Sequence, residues 1–271
     1  MMNRLMGIGI FLLMVGVLSF PFGAIRAEDS TDRQFPDDLE RELKSLVLDG
    51  TANSKDPSRL LRLASLYLDL GYGVYVNREK KLAAFQEGAR VARIALDLRE
   101  GSADAHFLYA ANLGNAVELQ GLVTAVLTVQ QLKDHLHRVL ELDERYAPAH
   151  HILGRIYEEL PWFLGGDQEA AGEHFKKAVS LDVRYAPARL DLARWYLEHG
   201  QTDEAVRELT RVVETPPLIK RWIWERIHRP EAQALLQQIV TQKGSDRSDA
   251  NCYKDCVVTL DSLYPLWEDF V

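Results

Sequence analysis

From Pro36 to residue 217, apolar residues recur every three or four positions, a spacing that places them on one side of a helix. No stretch alternates apolar and polar residues convincingly, as a half-buried strand would. The segment Glu141–Ala149 (ELDERYAPA) recurs 39 residues later as Ser180–Ala188 (SLDVRYAPA). A repeat of this length is typical of stacked helical hairpins, so we predict an all-α solenoid.

The unit that begins at Ala186 carries small and bulky apolar residues at a regular spacing, namely Leu192, Ala193, Tyr196, Ala205, Leu209 and Pro217. Small residues let the two helices of a hairpin, A and B, approach closely, and large residues fill the groove beside them. The spacing resembles that of the tetratricopeptide repeat, which is about 34 residues long. This resemblance implies a right-handed α-solenoid of helical hairpins.

Three earlier units follow the same spacing only when extra residues are allowed between helices A and B, so we predict hairpins with lengthened A–B connections. Residues 57–217 then hold four tetratricopeptide-like hairpins. The predicted boundaries are 1–27 for an export segment, 28–56 for a lead-in and helix, 57–102, 103–146, 147–185 and 186–219 for the hairpins, 218–242 for capping helices, and 243–271 for a polar linker and an apolar tail.

Residues 5–25 form an uncharged, largely apolar run with an arginine on each side. Pro21 shortens its helical part and the small residue Ala27 follows, so we predict a secretory signal peptide that is cleaved after Ala27. The alternative is an uncleaved membrane anchor, because 21 uncharged residues are long enough to span a bilayer. Both alternatives place the rest of the chain outside the cytoplasm, in the periplasm, and only the second holds it at the inner membrane.

The composition argues against several classes of function. The chain has 32 Lys and Arg against 40 Asp and Glu, a net charge of −8, so it lacks the basic character of a general nucleic-acid binder. It contains no GxxxxGK[ST] phosphate loop, no GxSxG motif and no HExxH motif. The eight His residues are scattered, which favours structural or solvated roles over metal binding. We therefore predict no catalytic residue, no metal and no cofactor, and a protein that is not an enzyme.

Cys252 and Cys256 are the only cysteines of the chain. Outside the cytoplasm, two cysteines four residues apart are most simply a local disulfide, which would hold the apolar tail. Free thiols remain the alternative.

The A helices of tetratricopeptide arrays line a concave groove, and the corresponding positions here are Phe107, His151, Arg155, Leu190 and Arg194. Arg155 and Arg194 occupy equivalent positions in successive hairpins, so we predict a two-arginine stripe that binds carboxylates of a protein partner. The alternative is that these arginines cover the groove wall or pair internally with Glu158, Glu159 or Glu198.

Two inserted stretches are more apolar than the surface of a solenoid requires, and their main residues are Leu122, Val126, Trp162, Phe163 and Leu164. One interpretation is that the insertions pack on each other or on neighbouring helices. The other is that they line an apolar pocket or pore, or a homo-oligomer interface.

The segment Leu160–Asp167 (LPWFLGGD), followed by Ala170, is similar to the LP-x-x-x-GGD-x-x-x-A hairpin of the T-component family, periplasmic tetratricopeptide-type proteins associated with TRAP transporters. The resemblance implies contact with a transporter's solute-binding protein. This chain departs from the family in having no lipid-attachment Cys and in its regular fourth repeat. We therefore predict a non-catalytic, extracytoplasmic scaffold for a protein partner; the alternatives are a carrier of a small hydrophobic ligand enclosed by the inserted helices and a membrane-anchored envelope-assembly factor.

Overall fold

The computed structural model of the chain describes residues 36–241, apart from the side chain of Leu122, and within this range it contains helices and no strand. The predicted signal segment and the predicted disulfide between Cys252 and Cys256 lie outside the described residues. The helices are α1 (Asp37–Leu48), α2 (Pro57–Gly73), α3 (Arg78–Leu98), α4 (Ala103–Gln120), α5 (Leu122–Leu142), α6 (Ala147–Glu159), α7 (Gln168–Leu181), α8 (Ala186–Glu198), α9 (Thr202–Glu214) and α10 (Arg221–Ile223).

The last helix has an irregular start. It begins as α10, passes through a π-helical turn at Trp224–His228 and continues as α-helix over residues 229–241. We call the whole element the 221–241 helix. None of the described helices is both long and apolar enough to cross a membrane.

The polar residues that precede several helices explain where these helices begin. The side chains of Asp56, Asn77, Ser102 and Asp167 each accept a hydrogen bond from a backbone N–H in the first turn of the following helix. Such caps satisfy N–H groups that have no partner within the helix. At the other end of α8, Gly200 adopts a left-handed conformation with φ of 72° and turns the chain toward α9.

Helices α2 to α9 form four hairpins, α2–α3, α4–α5, α6–α7 and α8–α9, which pack in chain order as an all-α solenoid. This architecture confirms the predicted fold. Close helix approach depends on small residues: a Cβ atom added to Gly154 on α6 would lie 2.6 Å from the Phe175 ring on α7. Substitution of Gly154 would therefore force the two helices apart.

The extra residues of the first two hairpins extend the helices rather than the connections between them. Helices α2 to α5 have 17 to 21 residues, whereas α8 and α9 have 13 each. Only the third hairpin has a longer connection, the 160–167 segment, which contains a short 3-10 turn at Trp162–Leu164.

Capping helices were predicted for residues 218–242, and the structure has the single 221–241 helix there. This helix returns toward the beginning of the array. Ile223 packs into the large apolar core that runs from α2 to the start of α8, and Trp224 packs into the core of the fourth hairpin. Trp224 also donates a hydrogen bond from Nε1 to the carbonyl oxygen of Val212 at 2.7 Å. The helix thus ties the last hairpin to the first.

Candidate functional site

The helices A of the four hairpins, α2, α4, α6 and α8, form one face of the array, which we call the A-helix face. Of the five side chains predicted to line a groove there, Arg194 is 38% exposed. The other four, Phe107, His151, Arg155 and Leu190, are buried. The structure therefore encloses most of the predicted groove residues between helices.

Asp191 on α8 lies at the centre of a buried polar network. Its Oδ2 atom accepts a hydrogen bond from His151 Nε2 at 2.7 Å and lies 3.7 Å from Arg155 Nε, while its Oδ1 atom accepts one from Arg194. Burial alone would raise the pKa of Asp191, but Arg155, His151 and Arg194 together hold that pKa well below its usual range. The carboxylate therefore stays charged inside the protein.

Both arginines of the predicted stripe are held by carboxylates of the chain itself. In addition to Asp191, Arg155 donates a hydrogen bond to Glu159, and Arg194 donates one to Glu231 on the 221–241 helix. Internal pairing was the alternative considered from the sequence, although Asp191 and Glu231 were not among the partners expected. The two arginines link helices, and their binding of a protein partner stays a prediction.

The pair of His151 and Asp191 has the composition of a general-base dyad. However, His151 is fully buried and its Nδ1 atom lies 3.1 Å from the Tyr185 hydroxyl, so no substrate can reach the ring. Burial also lowers the pKa of His151, which fits a neutral ring that donates from Nε2 to Asp191. Within residues 36–241, no group of three or more His, Cys, Asp or Glu side chains could hold a metal ion.

Polar contacts attach the 221–241 helix and the residue before it to α2. Lys220 Nζ lies 2.7 Å from Asp69 Oδ1, and both side chains are buried. The Tyr72 hydroxyl lies 3.2 Å from His228 Nε2. Lys220 also adopts a left-handed backbone conformation, with φ of 52°, which is strained for a residue other than glycine. Together with the pair of Arg194 and Glu231, these contacts hold the 221–241 helix against the A-helix face.

Glutamates gather near Arg155, in the last turns of α4 and α6. Burial raises the pKa of Glu118 to about 8, and Arg155 only partly opposes this shift. Burial likewise raises the pKa of Glu158 to about 8, with Asp191 adding to the shift. This part of the A-helix face therefore takes up protons near neutral pH.

The connection of the third hairpin presents an apolar tip. Trp162 is 84% exposed and Phe163 is 67% exposed, with the two rings in an edge-to-face contact. Leu164 is less exposed, and Val126 on α5 is half-buried. The first interpretation of the insertions, that they pack on each other or on neighbouring helices, therefore does not describe Trp162 and Phe163.

The LPWFLGGD segment holds this tip in a fixed shape. Gly165 has φ of 88°, and a Cβ atom on Gly166 would lie 1.7 Å from the carbonyl oxygen of Leu160. Asp167 donates its backbone N–H to Tyr157 at 2.9 Å and caps α7. The two glycines and the aspartate are therefore required by the turn itself.

Two histidine pairs link helices A and B at equivalent positions in successive hairpins. His106 and His135 approach with their Nδ1 atoms at 2.8 Å, and His150 and His174 do so at 3.0 Å. In the fourth hairpin, the corresponding contact joins Arg189 to Glu208. The two residues of each pair are 29, 24 and 19 residues apart in the sequence, so the separation shortens by five from one hairpin to the next. This regularity could have indicated the histidine pairs, whose members were interpreted from the sequence as scattered residues.

The edge of the array where one hairpin joins the next contains a cavity of about 730 Å³, which we call the edge cavity. Three junctions line it, within residues 99–104, 143–148 and 181–187. The segment 217–220 and the first turns of the 221–241 helix complete it. Exposed arginines stand at all three junctions, Arg99, Arg145 and Arg184.

Helical hairpins of this packing define a tetratricopeptide-type scaffold, a fold that is typically non-catalytic. A tetratricopeptide repeat model matches residues 164–218, and the model described as "Regulator of microtubule dynamics protein 1-3" matches residues 29–160. Regulator of microtubule dynamics protein 1 of Mus musculus is 26% identical over 113 residues, which cover 41% of this chain and 37% of that protein. The Homo sapiens protein of the same name is 26% identical over 105 residues, which cover 38% of this chain and 33% of that protein.

A structural likeness supports the same fold. A thermophilic tetratricopeptide protein of Thermus thermophilus superposes with a TM-score of 0.54 at 20% sequence identity, covering 74% of this chain and 92% of that one. The sequence relatives share about a third of their length with this chain and are named as regulators of microtubule dynamics. The relationship to T-component proteins, which the 160–167 segment implied, is not shown by these matches.

Proposed function

We propose that the chain is a non-catalytic scaffold that binds a protein partner, with the aromatic tip of Trp162 and Phe163 as one contact. The observation that carries this proposal is the exposure of both rings on a rigid connection. Aromatic side chains are enriched in protein interfaces because they bury much area and lose little conformational freedom. Gly165, Gly166 and Asp167 form the turn that presents the tip.

The direct test is partner capture by the full-length chain in cells, with chemical crosslinking and quantitative mass spectrometry. The variant Trp162→Ser/Phe163→Ser removes the tip without touching a buried residue. Val76→Ser/Val240→Ser is the matched control, because these valines are 87% and 64% exposed and lie elsewhere on the array. We expect the tip variant to lose a captured protein that wild type and control both retain; equal capture by all three proteins would contradict the proposal.

Export and a transport-related partner are finer parts of the proposal. The uncharged run at residues 5–25 supports export, and the LPWFLGGD segment supports a transporter's solute-binding protein as the partner. Mass spectrometry of the mature amino terminus tests export by cleavage: a chain that begins at Glu28 is expected, and an intact Met1 would contradict cleavage.

A second candidate function is contact with microtubules. It is supported by the match of residues 29–160, which include α1 to α6, to the family of microtubule regulators. Co-sedimentation of the full-length chain with polymerised tubulin tests it. Pelleting that depends on microtubules would favour this candidate, and a chain that stays in the supernatant at all tubulin concentrations would contradict it.

A further inference from the structure

We propose that the edge cavity is a binding site for an acidic peptide segment of a partner protein. This inference rests on the proposed function, because it assumes that the chain is a protein-binding scaffold. It concerns a different surface from the aromatic tip, and the two can be tested separately.

The two junctions that lead into α6 and α8 are built alike. Asp143 Oδ1 accepts a hydrogen bond from the backbone N–H of Arg145 at 2.9 Å, and Asp182 Oδ1 accepts one from Arg184, also at 2.9 Å. The same turn therefore sets the start of both arginine side chains, 39 residues apart in sequence. A ligand that spans the cavity meets the same arrangement twice.

Among the described side chains, no carboxylate holds the arginines of the cavity in an ion pair, although three aspartates line the same cavity. Within residues 36–241, Arg99 and Arg145 form no ion pair, and the described side-chain bond of Arg184 goes to the carbonyl oxygen of Pro216 at 3.0 Å. Lys220 differs, because Asp69 neutralises it. Three guanidinium groups are therefore available to an anionic ligand.

The acidic side chains of the cavity are already engaged by the chain. Asp143 and Asp182 each accept from a backbone N–H of their own turn, and Asp104 accepts from the Tyr146 hydroxyl at 3.1 Å. In the part of the chain that the structure describes, none of these three carboxylates lies in an ion pair with a guanidinium group, although burial raises the pKa of Asp104 and the charge of Arg99 acts to lower it.

The apolar part of the lining indicates a peptide rather than a bare anion. Leu218 stands at the cavity with 78% of its surface exposed, and the neighbouring Ile219 is 36% exposed. The volume of about 730 Å³ lies within the range of about 300–1,000 Å³ that is usual for ligand sites. A segment that alternates acidic and apolar side chains would satisfy both the arginines and this apolar surface.

The test measures binding of a short fluorescein-labelled peptide that alternates glutamate and leucine to the full-length chain, by fluorescence anisotropy. Arg145→Gln/Arg184→Gln removes the two equivalent arginines. Arg90→Gln/Arg207→Gln is the matched control, since it removes the same charge from exposed arginines on helices α3 and α9. We expect the cavity variant to bind about tenfold more weakly than wild type and the control to bind within about twofold of wild type.

The inference would be overturned by an equal loss of affinity in both variants, by unchanged affinity in the cavity variant, or by no binding of the peptide to wild type. Competition with inorganic phosphate and with a glutamine–leucine peptide separates the sources of binding: displacement by phosphate alone would show a simple anion site and contradict a peptide site. If the peptide fails to bind while Trp162→Ser/Phe163→Ser still loses its partner, the cavity is refuted and the scaffold function is not.

Discussion

Two pairs of arginines, each separated by 39 residues, occupy equivalent positions in the third and fourth hairpins and have different surroundings. Arg155 and Arg194 lie on the A-helix face, where Asp191 contacts both of them. Arg145 and Arg184 lie at the hairpin junctions, exposed beside the edge cavity. The first pair holds helices together, and the second pair is open to a ligand.

The difference shows that the position in the repeat determines where an arginine lies in the array, while the nearby carboxylates determine whether it forms an internal ion pair. Asp191 on α8 contacts Arg155 of the preceding hairpin and Arg194 of its own helix, and Glu231 of the 221–241 helix also contacts Arg194. At the junctions, Asp143 and Asp182 are used by the backbone instead. The predictions below test this division between structural and available arginines, from the largest expected effect to the smallest.

The largest effect is expected from Arg155→Ala. Arg155 is 5% exposed, and its loss leaves Asp191 and Glu159 with too little compensating charge. Removing one partner of a buried ion pair costs about 3–5 kcal/mol, so the free energy of unfolding in urea should fall by that amount. Arg145→Ala is the control and should change it by no more than about 0.5 kcal/mol. Similar losses in the two variants would contradict the comparison.

Arg194→Ala should have a smaller effect because its side chain is partly exposed. We expect a loss of about 1 kcal/mol, since His151 and Arg155 still hold Asp191. The informative measurement is amide hydrogen exchange, which should become faster in the 221–241 helix because the contact with Glu231 is lost. Faster exchange confined to α8 would show that this contact does not hold the helix.

Raising the pH should weaken the A-helix face through Glu118. The folded chain keeps this proton up to about pH 8, whereas the unfolded chain releases it near pH 4.5. The unfolded state thus binds fewer protons between these values, so the contribution of Glu118 to stability falls as the pH rises through this window. The unfolding free energy of wild type relative to Glu118→Gln should decline from about pH 5 to pH 8. The control Glu141→Gln, an exposed residue paired with Arg138, should show no such decline.

The histidine pair of the third hairpin should act in the opposite direction and is expected to have the smallest effect. Burial, together with His150, lowers the pKa of His174 to about 4, whereas the unfolded chain titrates near 6.5. The unfolded state binds more protons in between, so stability falls as the pH drops from 6.5 toward 4. His174→Gln should reduce this loss in urea unfolding at pH 5. If the variant loses as much unfolding free energy at low pH as wild type does, burial of His174 does not cause the loss.

The fold could be predicted because it depends on local spacing. The recurrence of the Tyr-Ala-Pro-Ala segment predicts the starts of α6 and α8 at Ala147 and Ala186, where the structure has them. The sequence does not show that α2 to α5 are longer helices, because extra helical turns and longer connections add residues between the same repeat positions.

The surroundings of the arginines could be predicted only in part: Glu159, four residues from Arg155, was an expected partner, whereas the contacts made by the 221–241 helix join residues far apart in the sequence. Nothing in the helical spacing indicates that Glu231 reaches Arg194 or that Lys220 reaches Asp69, 151 residues away. These contacts follow from the return of the 221–241 helix, which a pattern of local periodicity does not encode. The junction arginines themselves lie in the repeated Asp-x-Arg-Tyr-Ala-Pro segment, so the sequence contains a signal for them. The tyrosine and proline of that segment indicate helix packing and do not indicate a binding role for the arginine.

The most direct test of the division between the two arginine pairs is the rate at which phenylglyoxal modifies each arginine of the native full-length chain, followed by mass spectrometry with and without the glutamate–leucine peptide. We predict that Arg145 and Arg184 react readily and are protected by the peptide, while Arg155 stays unmodified in both conditions. Modification of Arg155 as fast as Arg145, or a peptide that protects neither junction arginine, would contradict the account.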